Sequence, residues 1–192
     1  MAAEPPEVWV VGGCNGSGKT TFALNIFPNL GNIEFINADI IAAQLNPDNP
    51  DAVAIQASRM MLERLKNLAQ QKQSFAFETT LAARSFAPFL RRCQAQGYRV
   101  NLIYVWLNSV ELAVTRVALR VASGGHNIPE DVIRRRYYRG RKNFLELYSK
   151  LADYWIVYDN TKPQRELIAE KVAEQPEATI YQADIWQQIQ QP

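Results

Sequence analysis

Short apolar runs rich in β-branched and aromatic residues recur along the chain at 8–11, 33–36, 74–77, 100–107 and 154–158, and each predicts a buried strand. Between them the apolar positions fall at three- and four-residue steps. Val53, Ala57, Met60 or Met61, Leu65 and Leu68 mark a helix over 51–72, and Val110, Val114, Val117 and Val121 mark another after the fourth strand. A third helix is expected over 84–96, ending at Gly97. Pro28 stops the first helix, and Pro50 and Pro129 suit first-turn positions. Asn108 with Glu111 fits a capping-box-like start. After Tyr158 the pattern predicts a helix around 164–174, a strand near 179–181 and a final helix from Asp184. Strands alternating with helices imply right-handed crossovers and a parallel sheet covered on both faces. The expected fold class is a three-layer α/β P-loop domain of about five parallel strands. It forms a single domain over 1–192 with a helical lid at about 116–142 and a C-terminal extension from about 162.

Chemistry enters directly after the first strand. Gly13-Cys14-Asn15-Gly16-Ser17-Gly18-Lys19-Thr20 meets the G-x-x-x-x-G-K-[ST] pattern at every fixed position and opens a helix. Glycines in such a loop let several N–H groups turn inward around an anion, while the helix aims its positive end at the same place. Lys19 is expected on the β- and γ-phosphates of ATP and the Thr20 hydroxyl on Mg²⁺, with Thr21 beside it. Composition changes little. A 47% hydrophobic share with 21% charged residues suits a globular chain, and the net charge of +2 argues for neither nucleic acid nor membrane as partner. The first residues lack a basic and an apolar region, and no apolar run of about 18 residues occurs, so a soluble cytosolic protein is expected. Two cysteines and one histidine leave little for a disulfide framework or a zinc site.

Each predicted strand ends in polar residues on the carboxyl edge of the sheet. These are Asn37-Ala38-Asp39, Glu78-Thr79-Thr80, Asn108-Ser109 and Asp159-Asn160-Thr161. A phosphotransferase needs a base beside the γ-phosphate and a second group to hold the acceptor. Asp39 fits the base, and a helix N-cap before Ile40-Ile41 is the alternative role. Glu78, straight after Phe75-Ala76-Phe77, needs a partner at the buried edge, and metal or substrate contact is the favoured role. A strand ending in Asp-Glu is absent, which points away from motor and transporter ATPases. Arg116 and Arg120 share a helix face ahead of Gly124-Gly125-His126, and Arg134-Arg135-Arg136 follow beyond Pro129. The glycines read as a hinge, and arginines on either side could close over the phosphates. His126 is either a substrate-contacting group or a loop residue, and Cys14 is a loop filler whose helix-end position could make it oxidisable.

These residues together suggest a family. The phosphate loop, Asn37-Ala38-Asp39, Phe77-Glu78-Thr79-Thr80-Leu81, Arg120 to Pro129, Ile133 to Tyr137 and Tyr158-Asp159-Asn160 resemble the zeta-toxin-like P-loop kinases over about residues 8–161, and within them the branch labelled predicted ABC-type ATPases. The resemblance implies transfer of the ATP γ-phosphate to a hydroxyl, in zeta toxins the 3′-hydroxyl of the amino sugar of UDP-N-acetylglucosamine. It implies that Lys19 binds phosphate, that Asp39 is the base and that Glu78 and Thr80 lie at the acceptor site. Arg120 with Arg134 or Arg136 would be the lid arginines. The expected ATP set is Gly13, Cys14, Asn15, Gly16, Ser17, Gly18, Lys19, Thr20, Thr21, Arg116 and Asn160. The expected acceptor set is Asp39, Glu78, Thr79, Thr80, His126 and Arg136, around a small hydroxylated molecule. The chain departs from the toxins in its compactness, with no evident room for a large uridine-sugar subdomain beyond helix 51–72. It carries no antitoxin-like helical module, so an inhibitor would be a separate protein. Two other readings stand beside this one: a kinase acting on a nucleic acid end, suggested by cations interleaved with Tyr137 and Tyr138, and a nucleotide-dependent switch.

Overall fold

A computed structural model describes residues 4–29, 33–125, 127–173, 175 and 177–191. Five strands run parallel, as their spacing between helices predicts: β1 (Glu7–Gly12), β2 (Glu34–Ile36), β3 (Phe75–Thr79), β4 (Arg99–Trp106) and β5 (Tyr154–Asp159). Two more, β6 (Glu166–Lys171) and β7 (Thr179–Ile180), are added antiparallel at one edge, giving seven strands among the described residues in the order β2-β3-β1-β4-β5-β6-β7. The helix expected over 164–174 is therefore β6. Glu166, Ala169, Glu170 and Lys171 favour helix intrinsically, but the free edge of β5 offers a ladder, and Ile168 and Ala169 are fully buried against the core.

The helices are α1 (Lys19–Ile26), α2 (Ala38–Leu45), α3 (Ala54–Gln70), α4 (Phe86–Ala95), α5 (Val110–Ala122), α6 (Glu130–Asn143), the short α7 (Ser149–Leu151) and α8 (Ala183–Gln190). A single 3₁₀ turn at Phe27–Asn29 contains Pro28, past the end of α1, a second at Pro50–Val53 has Pro50 in its first turn, and a π-helical turn, Phe144–Tyr148, joins α6 to α7. The cap of α5 is Ser109, whose hydroxyl accepts from the Leu112 amide, and not Asn108.

One face of the sheet packs Val11, Ala76, Ile103 and Val105 against Phe22, Ala23 and Phe27 of α1 and its 3₁₀ turn. The other packs Val8, Val10, Phe75, Phe77, Leu102 and Tyr104 against α3, α4 and the π-helical turn, with Tyr104 stacked on Phe144 at 4.2 Å. A third cluster joins Cys14 to Val110, Ala113, Val117, Ile133 and Tyr137, so α5 and α6 rest directly on the phosphate loop. The register aligns Gly12 with Thr79 and with Tyr104, and Trp106 with Asp159. Every polar strand end therefore reaches the same edge, where the helix amino ends also converge.

Candidate active site

The phosphate loop is built by close approach. Gly13 has φ 144° and a Cβ there would lie 2.2 Å from the Val105 carbonyl oxygen, while Gly18, left-handed at φ 87°, would put a Cβ 2.6 Å from Asn160 Nδ2. At Gly13 the clash is with backbone that cannot swing aside, and at Gly18 any side chain strains the left-handed backbone. The first helical hydrogen bond runs from the Phe22 amide to the Gly18 carbonyl at 3.0 Å, leaving the amides of Lys19, Thr20 and Thr21 without intrahelical acceptors. Ser17 Oγ is buried and among the described residues has no hydrogen-bond partner. Inward amides, a spare hydroxyl and the positive helix end fit a phosphate chain.

Lys19 is buried, and its Nζ donates to the Cys14 carbonyl at 2.7 Å and pairs with Glu78 Oε1 at 3.5 Å. Both partners offset the cost of burying an ammonium. Glu78, at the end of β3, also accepts from Thr20 Oγ1 and from Asn37 Nδ2, each at 2.7 Å through Oε2. A hydroxyl and a carboxylate side by side at the phosphate loop are hard oxygen donors of the type Mg²⁺ takes, with phosphate and water completing its shell. Among the described residues no cluster of three or more His, Cys, Asp or Glu exists that could hold a metal without the nucleotide.

The sequence names Asn37 only as part of the strand end Asn37-Ala38-Asp39 and gives it no role of its own. Asn37 is buried, and its Oδ1 accepts from the Asp39 amide at 2.7 Å and the Ile40 amide at 3.3 Å, so it is the N-cap of α2. The capping role weighed for Asp39 therefore belongs to its neighbour. Asp39 sits exposed in the first turn, and its carboxylate acts on Arg136. Burial pulls the Arg136 guanidinium below its ordinary value, and the charge of Asp39 opposes that. Arg136 NH1 donates to Asn15 Oδ1 at 3.4 Å, which ties α6 to the phosphate loop.

The other arginines divide. Arg116 donates through NH1 to the Asn160 carbonyl at 2.8 Å and through NH2 to the Thr161 carbonyl at 2.9 Å, and Asn160 Nδ2 donates to the Ser17 carbonyl at 2.8 Å. These two residues thus link α5, the end of β5 and the phosphate loop. Arg120 is exposed at the end of α5. Arg134 points to acids, donating to Glu130 at 2.8 Å and to Glu111 at 3.0 Å. Of the two candidates on α6, Arg136 and not Arg134 contacts the phosphate loop. Thr79 Oγ1 accepts from the Leu81 amide at 3.2 Å and Thr80 Oγ1 from the Ala82 amide at 3.5 Å, so both threonines shape the turn after β3. His126 lies outside the described residues. Cys14 is buried, and burial pushes its thiol up to about 11 against the opposing charge of Lys19, so the thiolate expected from the helix end does not form at neutral pH.

A sheet with five parallel strands in this order, with a phosphate loop between β1 and α1 and polar strand ends facing it, defines a P-loop NTPase of the kinase type. The Zeta toxin family model matches residues 1–172, and the chain belongs to that family. It is 37% identical over 125 residues to an uncharacterized protein of Haemophilus influenzae, an alignment covering 65% of this chain and 88% of the other. Among solved structures it is similar to a chain of the AvrRxo1-ORF1:-ORF2 complex with ATP, with TM-score 0.77 and 15% identity over 96% of this chain. It spans 63% of the length of that chain. The structure of the PezAT chromosomal toxin-antitoxin system of Streptococcus pneumoniae matches with TM-score 0.67 and 18% identity, covering 98% of this chain and 80% of the other. At these identities the two structures establish a common fold. Among the described residues no helix is long and apolar enough to cross a membrane.

Proposed function

We propose that the protein transfers the γ-phosphate of ATP to a hydroxyl of a small molecule, with Asp39 as the base. The observation that carries this is the division of labour after β2: Asn37 takes the cap and the link to Glu78, and Asp39 is left exposed at the same helix end, within the field of Arg136. The loop amides and Lys19 hold the phosphates. The acceptor oxygen attacks the γ-phosphorus as Asp39 takes its proton, the bond to the bridging oxygen breaks, and ADP leaves. Arg136 offsets the charge on the transferring group, and Arg116 with Asn160 hold the loop in shape. Mg²⁺, seated by Thr20 and Glu78, would supply neutralisation of the phosphate oxygens. Thr79 and Thr80 border the acceptor, and family membership makes a UDP-amino sugar the first candidate. The same membership, with a toxin-antitoxin system among the similar structures, supports a separate antitoxin protein as partner.

The basic helix argues against a nucleic acid acceptor. Arg134, Arg135 and Lys142 pair with Glu130 and Glu111, Asp131 and Glu146, and Arg141 lies over the Tyr138 ring, so much of the charge of α6 is answered within the protein. The test is labelled ATP with a panel of UDP-sugars and other hydroxylated metabolites. Loss of general-base catalysis predicts that Asp39→Asn slows transfer about 10²–10⁴-fold while ATP affinity holds. Transfer at the wild-type rate in that variant would remove Asp39 from the role.

A further inference from the structure

The turn after β3 is gripped by α6 and its π-helical extension along successive carbonyls. Asn143 Nδ2 donates to the Leu81 carbonyl at 2.8 Å and the Ala82 carbonyl at 3.2 Å, and Tyr148 Oη donates to the Ala83 carbonyl at 2.6 Å. Gly140 lies so close that a Cβ there would be 2.4 Å from the Thr80 carbonyl oxygen. Within the gripped turn Leu81 holds a left-handed conformation, φ 57°, which a branched side chain keeps only where its surroundings over-determine it. Its side chain is buried, and a Cβ on Gly12 would be 2.5 Å from Leu81 Cδ1, so the turn also presses on the start of the phosphate loop. Arg136, Gly140 and Asn143 follow at i, i+4 and i+7 and so share one face of α6. That face touches the phosphate loop through Arg136 and Asn15 and the turn through Gly140 and Asn143. The contacts close a ring: Gly12 to Leu81, Leu81 to Asn143, Asn143 along α6 to Arg136, and Arg136 to Asn15.

Resting on the phosphotransferase reading above, we propose that Asn143 and Tyr148 are positioning residues that couple the acceptor-bordering turn 79–83 to Arg136 at the phosphate loop. The part of α6 from Arg136 onward is then a fixed strut and not a swinging lid. Any motion about Gly124-Gly125 is confined to the elements ahead of Arg136. The seat of Arg136 on the nucleotide and the shape of the acceptor border are set together, so a change at either is felt at the other.

Hydrogen exchange with ATP and Mg²⁺ as the probe reads this coupling without turnover. In the wild type, ATP slows exchange at Lys19–Thr21 and also at 79–83. In Asn143→Leu the slowing at Lys19–Thr21 stays and that at 79–83 is lost. Tyr148→Phe, which removes one hydroxyl and keeps the ring packing, weakens it in the same direction should the first variant fail to fold. In turnover, displacement of Arg136 by a fraction of an ångström to an ångström lowers kcat up to about 100-fold with the KM for ATP unchanged. Arg136→Gln then costs less in the Asn143→Leu background than in the wild type. Slowing at 79–83 that survives both variants, or kinetic effects of Asn143→Leu and Arg136→Gln that simply add, overturns the coupling while leaving the kinase reading intact. Absence of ATP protection at Lys19–Thr21 in the wild type overturns the nucleotide reading, and the coupling with it.

Discussion

Replacing Glu78 with Gln separates the metal role proposed for this carboxylate from its structural one. The side chain is 13% exposed, and its Oε2 accepts from Thr20 Oγ1 and Asn37 Nδ2 at 2.7 Å while Oε1 faces Lys19 Nζ at 3.5 Å. The amide keeps an oxygen where Oε2 stood, so both donors retain an acceptor, but each bond falls from the charged class, about 1.5–3 kcal/mol, to the neutral one, about 0.5–1.5 kcal/mol. The amide nitrogen then faces the Lys19 ammonium and the ion pair is gone. Desolvation of the original carboxylate, which the amide avoids, offsets part of this, and the net loss of stability is about 1–3 kcal/mol. For a chain of 192 residues, a loss of about 2 kcal/mol lowers Tm by about 4–8 °C. Ligand binding moves the other way without metal. Lys19 loses its competing carboxylate, so ATP binds in EDTA at least as tightly as to the wild type, whereas the gain that Mg²⁺ brings to the wild type disappears. Calorimetric titration of ATP with and without Mg²⁺ measures both arms. An equal Mg²⁺-dependent gain in the two proteins would refute the assignment of Glu78 as a metal ligand.

Gly13→Ala drives a methyl group into the Val105 carbonyl, a backbone atom that cannot swing aside, at a cost of about 1–3 kcal/mol or more, read as a fall in the denaturant midpoint together with loss of ATP binding. Gly97→Ala is the comparison, since a Cβ there meets nothing within 4 Å and only the left-handed backbone, φ 87°, is strained. Burial raises the thiols of Cys14 and Cys93 from 9.0 to about 11, so the stability each contributes is fully present below pH 9 and is lost as pH rises toward 11. The full change corresponds to about 2–3 kcal/mol per thiol, and urea midpoints taken from pH 8 to 11 should fall less steeply in Cys14→Ser and Cys93→Ser. The exposed Arg64–Glu34 pair, at 2.6 Å, contributes about 0.2–1 kcal/mol, and Glu34→Gln should lose a salt-dependent amount of that size in a thermal melt.

The parallel part of the fold was legible because each strand is a buried run and each crossover helix an amphipathic one, so both periods stand out along the chain. The phosphate loop was legible for another reason: its glycines and its Lys-Thr pair answer local demands of backbone and charge. The antiparallel edge was not legible. Glu166-Leu-Ile-Ala-Glu-Lys carries helix formers, and only the open side of β5 decides for a strand. Nor could spacing rank the arginines. Arg134, Arg135 and Arg136 are consecutive, and the face that meets Asn15 depends on how α6 docks, which Gly140 fixes through its approach to Thr80. The one recoverable signal was Asn37, a strong N-cap type two residues ahead of Asp39, whose side chain the capping rules would have occupied.

That capping detail bears on the proposed roles of Glu78 at the metal and Asp39 at the acceptor. In a strand ending in Asp-Glu, two adjacent acids divide the metal and the attacking group between them. Here β3 supplies Glu78 alone, and the second acid arrives from the neighbouring strand end on a helix turn that Asn37 holds to Glu78. Asn37 thereby sets the distance between Glu78 and Asp39 through one side chain, its Nδ2 on the carboxylate of one and its Oδ1 on the backbone of the other. An Asn37→Asp change keeps the cap and, with a carboxylate facing Glu78, reverses the link from attraction to repulsion. It should therefore disturb the separation of the two acids while preserving α2, an outcome that circular dichroism and transfer rates read independently.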